Sequence, residues 1–171
     1  MVYRIHPKAK IFNTAKIVRQ HHSIIVEADC TIGDFAFIAA RNFWMMYGSQ
    51  VGMHAVIGGG GDVVLKRFSV VGSNATLIPA TESPKAEYMC EAGPPDGRKV
   101  IRGSICIGEK AYIGAGATIC VSEDDPDIEI GDRVIIGAGS YIDKSIPNDR
   151  MVYPKQTLVN IPREIWLKET R

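Results

Sequence analysis

Aliphatic residues recur every six positions along most of this chain, and that spacing constrains its fold more than any other feature. The series runs Ile11, Ile17; Ile32, Ile38, Trp44; Val51, Ile57; Leu65, Val71, Leu77; Ile101, Ile107, Ile113, Ile119; Ile130, Ile136, Ile142. Glycine follows many of these directly, as at Gly33, Gly52, Gly72, Gly108, Gly114, Gly131 and Gly137. A small residue stands two places before many of them: Ala36, Ala55, Ala75, Ala111, Ala117 and Ser140. A helix repeats every ~3.6 residues and a strand every ~2, so neither carries this period. It fits a short strand closed by a tight turn. The aliphatic points inward, the small residue fills the crowded corner, and glycine accepts the turn's backbone angles. Three such units close a triangular coil of about 18 residues; coils stack at ~4.8 Å, and there is room for about seven or eight. A β-sandwich would instead give turn signals every ~8–12 residues. The expectation is an all-β parallel β-helix forming one domain over residues 1–171.

Composition narrows the partners. A net charge of +1, with no basic run carrying interleaved aromatics, argues against nucleic acid and anionic membrane surfaces. No apolar run reaches the ~20 residues of a membrane span, so no membrane insertion is expected. The opening MVYRIHPKAKIF lacks the apolar core of a signal peptide, which makes a cytoplasmic location the default. Cys30, Cys90, Cys106 and Cys120 lie far apart without a CxxC pair. They read as reduced thiols in or near the core, with Cys90 the exception in a polar insert.

Three breaks interrupt the period. The glycine run Gly58–Gly61 lengthens one unit, and the acidic VSEDDPD lengthens another. A long insertion over about 79–100 carries three prolines with Glu82, Tyr88, Arg98 and Lys99, and is expected to protrude as a loop. Such a loop serves binding or is surface decoration. The segment from about 148 to 171 has the apolar spacing of a short helix or strand capping the last coil.

His54, in QVGMHAVIGGGGD, stands three residues before the inward Ile57 and beside the small Ala55. Its equivalents in other repeats are Phe35, Asn74, Lys110, Gly116, Arg133 and Gly139, mostly polar or glycine, so the position faces outward at a corner. Counting corners in threes, with each insertion taken as a bulge within one turn, stacks His54 beneath Asn74, Lys110 and Arg133. Gly116 and Gly139 then share a different edge, whose turns are bare and let a ligand lie against the backbone. One prism keeps those two edges apart, and a three-fold trimer would join them.

The stretches IGEKAYIGAGATI and IEIGDRVIIGAGSYIDKSIP resemble the hexapeptide-repeat acyltransferases, in particular the branch that acetylates sugars at oxygen or nitrogen. The resemblance runs from about Ile11 to Pro147 and implies a left-handed β-helix, a homotrimer and acetyl-CoA bound between subunits. It assigns Ala115, Gly116, Ala117, Ala138, Gly139 and Ser140 to the pantetheine path and Lys144 to the nucleotide end. It makes His54 the general base that deprotonates a sugar hydroxyl of a surface-polysaccharide precursor; an imidazole suits the task because it titrates near neutrality. Glu82, Tyr88 and Arg98 are the expected acceptor contacts, and the glycine run after His54 could offer N–H groups to the oxyanion. The sequence departs from galactoside- and maltose-type enzymes, which carry a loop histidine where this chain reads ATESP. His6 reads as structural, and His21 and His22 as a solvated turn.

Alternatives are an N-acetyltransferase acting on a nucleotide-linked amino sugar and a non-catalytic scaffold. A zinc hydratase of the γ-carbonic anhydrase kind needs three converging imidazoles, which four histidines with none after His54 do not readily supply, so no metal is expected. A uridylyltransferase tail is not expected either, because no phosphate-binding domain precedes the repeats.

Overall fold

The computed structural model describes residues 2–18 and 23–154. The chain winds as a parallel β-helix with three flat faces, in the left-handed form expected from the repeats. Face A stacks Tyr3–Ile5, Ile24–Val26, Asn42–Met45, Asp62–Leu65, Ser104–Ile107 and Asp127–Ile130. Face B stacks Lys10–Ile11, Thr31–Ile32, Gln50–Val51, Val70–Val71, Tyr112–Ile113, Ile135–Ile136 and Met151–Val152. Face C stacks Lys16–Ile17, Phe37–Ile38, Val56–Ile57, Thr76–Ile78, Thr118–Cys120 and Tyr141–Ile142. Six coils are complete and a seventh is begun, fewer than the seven or eight expected, because the long insertion consumes more than a coil's length of chain.

The core is a set of aliphatic ladders. On face B, Ile32, Val51, Val71, Ile113 and Ile136 pair in direct register, and all are fully buried. Each buried side chain contributes on the order of 1.5–3 kcal/mol relative to exposure. Ala55, Ala75, Ala111 and Ala117 pack into the corners as expected.

The glycines that follow the inward aliphatics serve a different purpose from the one expected. Their backbone angles are ordinary; what they supply is room. A Cβ on Gly114 would lie 2.5 Å from the Ala138 nitrogen, and one on Gly52 would lie 2.6 Å from the Ser73 nitrogen. Stacking at strand spacing therefore leaves no space for a methyl group. The left-handed angles fall at the corners instead, mostly on non-glycine residues: Asp29, Phe35, His54, Phe68, Asn74, Lys110, Arg133 and Asp149.

Two members of the periodic series do not belong to it. Trp44 is 41% exposed, while its neighbours Phe43 and Met45 are buried, because one extra residue between Ile38 and Asn42 shifts the phase. Ile101 is not in a coil. The long insertion is a two-stranded antiparallel hairpin pairing Ala80 with Arg102, Thr81 with Ile101 and Glu82 with Val100, and the coil resumes at Ser104. Glu123, from the acidic loop, ties the hairpin down through Ser83, Lys85 (2.6 Å) and Lys99 (3.0 Å). Those partners hold its carboxyl at about 2.

Four free cysteines remain, with Cys30 buried and Cys90 exposed. Burial pushes the Cys106 and Cys120 thiols up, which keeps them protonated and unreactive. Of the expected cap at about 148–171, Met151–Val152 adds a seventh strand to face B; residues 155–171 lie outside the described residues.

Candidate functional site

Three edges join the faces, and two of them carry one corner turn per coil. On edge BC, each turn donates a backbone hydrogen bond to the turn below: His54 N–H to Asp34 O (2.9 Å), Asn74 to Met53 (3.0 Å), Gly116 to Ser73 (2.9 Å), Gly139 to Ala115 (2.9 Å). From bottom to top the edge therefore reads Asp34–Phe35, Met53–His54, Ser73–Asn74, Ala115–Gly116, Ala138–Gly139. Edge AB has the same rungs with other residues: Lys110 N–H to Arg67 O, Arg133 to Glu109, Asp149 to Asp132.

This overturns the corner count. Asn74 does stand directly above His54, but Lys110 and Arg133 are on another edge, and the two bare turns share the edge of His54. The cause is Ile101. Taking it as a coil position rotates every later corner by one edge; with the coil restarting at Ser104, Gly116 falls above Asn74.

Side-chain bulk falls away up edge BC. Phe35 and His54 stack flat, with ring centroids 4.9 Å apart and planes 14° apart. The His54 imidazole makes no side-chain hydrogen bond among the described residues, and it is exposed. Asn74 follows, also exposed and with its carboxamide unbonded. At Gly116 (φ +65) and Gly139 (φ +70), a built Cβ meets nothing within 4 Å. At ~4.8 Å per coil, Gly116 stands about 10 Å above His54 and Gly139 about 14 Å above it. Ala115 and Ala138 are exposed, whereas Ala117 and Ser140 are buried in the corners, with Ser140 Oγ donating to Gly137 O (2.8 Å). Only Ala115, Gly116, Ala138 and Gly139 of the expected set thus line the open path.

Edge CA gathers the remaining expected residues. Lys144 is exposed there, at the far end of Tyr141–Ile142 from Gly139. The glycine run Gly58–Gly61 is there too, at the far end of Val56–Ile57 from His54, so within one chain it offers His54 no oxyanion donor. Gly60 O accepts from Arg102 (3.3 Å). The hairpin rises from this edge. Arg98 donates to Glu82 at 2.6 Å and to Glu91 O at 2.8 Å, while Glu82 Oε2 and Arg98 Nε are buried without a partner. Tyr88 packs its ring against Gly97 and Gly93. Beside the hairpin is a cavity of about 420 Å³ lined by Glu82, Lys85, Ile101, Cys120, Glu123 and Tyr141.

Sequence reasoning missed Phe35 as a partner of His54 and Glu123 as the hairpin's tether. Phe35 was legible: it lies 19 residues before His54, one coil plus the single-residue slip at Trp44. Glu123 was not, because its partners lie on a hairpin that interrupts the repeat. Of the other histidines, His6 accepts from the Lys8 N–H at 3.2 Å in the first coil, and His21 and His22 lie outside the described residues.

No family model matches the chain. The bifunctional protein GlmU of Brevibacillus brevis is 28% identical over 169 residues, covering 91% of this chain and 33% of that protein, so the chain spans about a third of this relative's length. AntD, an N-acyltransferase from Bacillus cereus solved with dTDP and 3-hydroxybutyryl-CoA, superposes with a TM-score of 0.57 at 19% identity, covering 98% of this chain and 85% of AntD. LpxA from Acinetobacter baumannii gives 0.61 at 16% identity, over 84% of this chain and 50% of LpxA. A hexapeptide-repeat acetyltransferase from Vibrio cholerae gives 0.50 at 15% identity, over 90% and 68%. These likenesses establish a shared fold. Among the described residues no helix is long and apolar enough to cross a membrane.

Proposed function

We propose that this protein is an acetyl-CoA-dependent acetyltransferase that acylates a sugar hydroxyl of a surface-polysaccharide precursor in the cytoplasm. The observation that carries this reading is edge BC, where an unbonded, exposed imidazole stands below two bare turns on one continuous path. The pantetheine arm lies along Ala115–Gly116 and Ala138–Gly139, where absent side chains leave the backbone accessible. Its thioester reaches down past Asn74 to His54, and His54 takes the proton of the acceptor hydroxyl as that oxygen attacks the carbonyl carbon. Catalysis needs no metal in this reading.

The acceptor-binding residues Glu82, Tyr88 and Arg98, together with Lys144, lie on the neighbouring edge. The five residues from Gly139 to Lys144 span at most about 17 Å, so face C separates the two edges within a chain. A homotrimer that sets the hairpin edge of one subunit against the histidine edge of the next would complete the site, and this supports the trimer.

A second reading is favoured by one observation. AntD is an N-acyltransferase solved with dTDP-4-amino-4,6-dideoxyglucose and coenzyme A, and the hairpin here carries Lys85, Arg98, Lys99 and Arg102, a basic set suited to a diphosphate. In that reading the acceptor is an amino group of a nucleotide-linked sugar.

The test is the melting temperature with and without millimolar acetyl-CoA, followed by transfer to a panel of hydroxyl and amino sugars. A ligand at ~100 times its dissociation constant adds about 2.7 kcal/mol to the folded state. His54→Ala is expected to keep that shift and lose about 10²–10⁴ of the transfer rate. No shift in the wild type would leave the scaffold reading.

A further inference from the structure

We infer that Phe35 is the positioning residue of His54, holding the imidazole by a flat stack where a general base is ordinarily held by a hydrogen bond. The inference rests on the proposed role of His54 as base. A histidine base is normally oriented by a third group bonded to its other nitrogen. Among the described residues no such group bonds His54, and the nearest carboxylate below it, Asp34, accepts from Thr14 Oγ1 at 2.6 Å. The contact that the ring does make is Phe35, at 4.9 Å and 14°.

Phe35 is also a costly choice for its position. Its φ is +58, in the left-handed region, where glycine and asparagine fit and a bulky aromatic does not. It is 57% exposed, so core burial does not offset that strain. The Thr14 hydroxyl accepts from its N–H at 3.1 Å and helps hold the turn. Residues kept in such strained conformations cluster at functional sites, and here the side chain meets the proposed base.

In the transfer step the acceptor X–H bond breaks as X attacks the thioester carbon, and the proton goes to the His54 imidazole. The carbonyl π pair becomes an oxyanion. Its collapse restores C=O and expels the thiolate, which takes the proton back from the imidazolium to leave free thiol and acylated acceptor. Both proton transfers need one ring orientation, and the stack supplies it.

The experiment compares wild type, Phe35→Tyr, Phe35→Leu and Phe35→Asn in acetyl transfer to dTDP-4-amino-4,6-dideoxyglucose and to hydroxyl sugars. Melting temperature and the His54 side-chain proton shifts are followed alongside. Phe35→Tyr keeps the stack and is expected to stay within about twofold of wild type. Phe35→Leu and Phe35→Asn are expected to lose about tenfold or more in kcat, with KM for acetyl-CoA unchanged, since misplacing a catalytic group by ~1 Å costs up to ~10². Phe35→Asn is expected to melt at or above the wild-type temperature, because it relieves strain. Activity and stability moving in opposite directions separates positioning from a structural role. In wild type the His54 ring protons should be shifted upfield by the Phe35 ring current, and should move downfield in Phe35→Leu.

Wild-type kcat in the Leu and Asn variants would overturn the inference alone and leave His54 standing. A wild type that transfers to no acceptor and gains no stability from acetyl-CoA would end the acyltransferase reading and this inference with it. If acetyl-CoA binds but no tested acceptor reacts, the proton shifts decide: His54 resonances identical in wild type and Phe35→Leu overturn the stack.

Discussion

Edges AB and BC are built from the same turn, one per coil, with the same left-handed corner residue and the same backbone rung to the turn below. The corner φ is +57 at Lys110 and +56 at Arg133 on one edge, and +55 at His54 and +58 at Asn74 on the other. Edge AB carries charge: Arg133 forms a two-pronged pair with Asp149 in the next turn (2.6 and 2.7 Å), and Lys110 sits 3.3 Å from Glu109. Edge BC carries an aromatic stack, then an amide, then nothing. Backbone geometry is held constant, so the difference is one of side-chain choice alone. The fold therefore supplies a neutral corner, and what an edge can bind is written into two residues per coil.

Exchanging those residues should exchange the property. Gly116→Lys places on edge BC the residue that edge AB carries in the same coil. The side chain has open space, and the backbone already adopts the angles that Lys110 adopts. The left-handed cost is about 1–2 kcal/mol. The larger loss is of ligand: the stabilisation of about 2.7 kcal/mol expected from excess acetyl-CoA should vanish. An undiminished acetyl-CoA shift in Gly116→Lys would mean that the pantetheine arm does not use this edge.

The two edges should respond alike where they share a constraint. Gly108 precedes the AB turn and Gly114 the BC turn of one coil, and a methyl group on either would strike backbone of the coil above. Gly108→Ala and Gly114→Ala should each cost about 1–3 kcal/mol by overpacking, and more if the coils cannot part. Paired thermal denaturation checks this, and a marked difference between the two would show that the edges are not equivalent scaffolds.

The period made the fold legible because a solenoid states its geometry locally: each inward aliphatic and each cramped glycine depends only on the coil above and below. Assigning residues to edges was harder, because edge identity is cumulative. Ile101 has the right type and the right spacing to the next aliphatic, yet it packs in the hairpin, and that one residue moved Gly116 and Gly139 to the wrong edge. His54, Gly116 and Gly139 were found as outward corners by their own repeats. That they share an edge required knowing where the hairpin ends, which depends on contacts such as Arg102 with Gly60 that sequence spacing does not encode. Glu82 and Arg98 were legible as charged loop residues. Their pairing at 2.6 Å, with one unpartnered polar atom on each, was not.

A smaller change tests the cost of charge on edge AB. Lys110→Gly removes a non-glycine residue from the left-handed region, where glycine is unstrained. It is expected to be neutral to about 1 kcal/mol stabilising, with acetyl transfer unaffected. A loss of transfer rate in this variant would place catalytic or binding function on both edges and erase the contrast.

The smallest expected effect is electrostatic and has a definite sign. The Arg133 guanidinium beside it holds the Asp149 carboxyl below its ordinary 3.8. A depressed carboxylate contributes stability that is fully present above its unfolded pKa and is lost as pH falls through the folded one. Arg133 stays charged throughout, so the loss comes from Asp149 alone. Both groups are fully exposed, so salt should screen the contribution. Acid also protonates Glu123, held at about 2 on edge CA, and the wild-type curve therefore contains both losses. Subtracting the melting curve of Asp149→Asn from that of wild type, at pH 6 and at pH 3 in low salt, isolates the Asp149 part. Wild type should exceed the variant at pH 6, and the gap should narrow at pH 3 and in high salt. Edge BC, with no ion pair among its described residues, has no counterpart to lose. A gap that ignores both pH and salt would mean that the Arg133–Asp149 pair acts through packing, and that charge is not what separates the two edges.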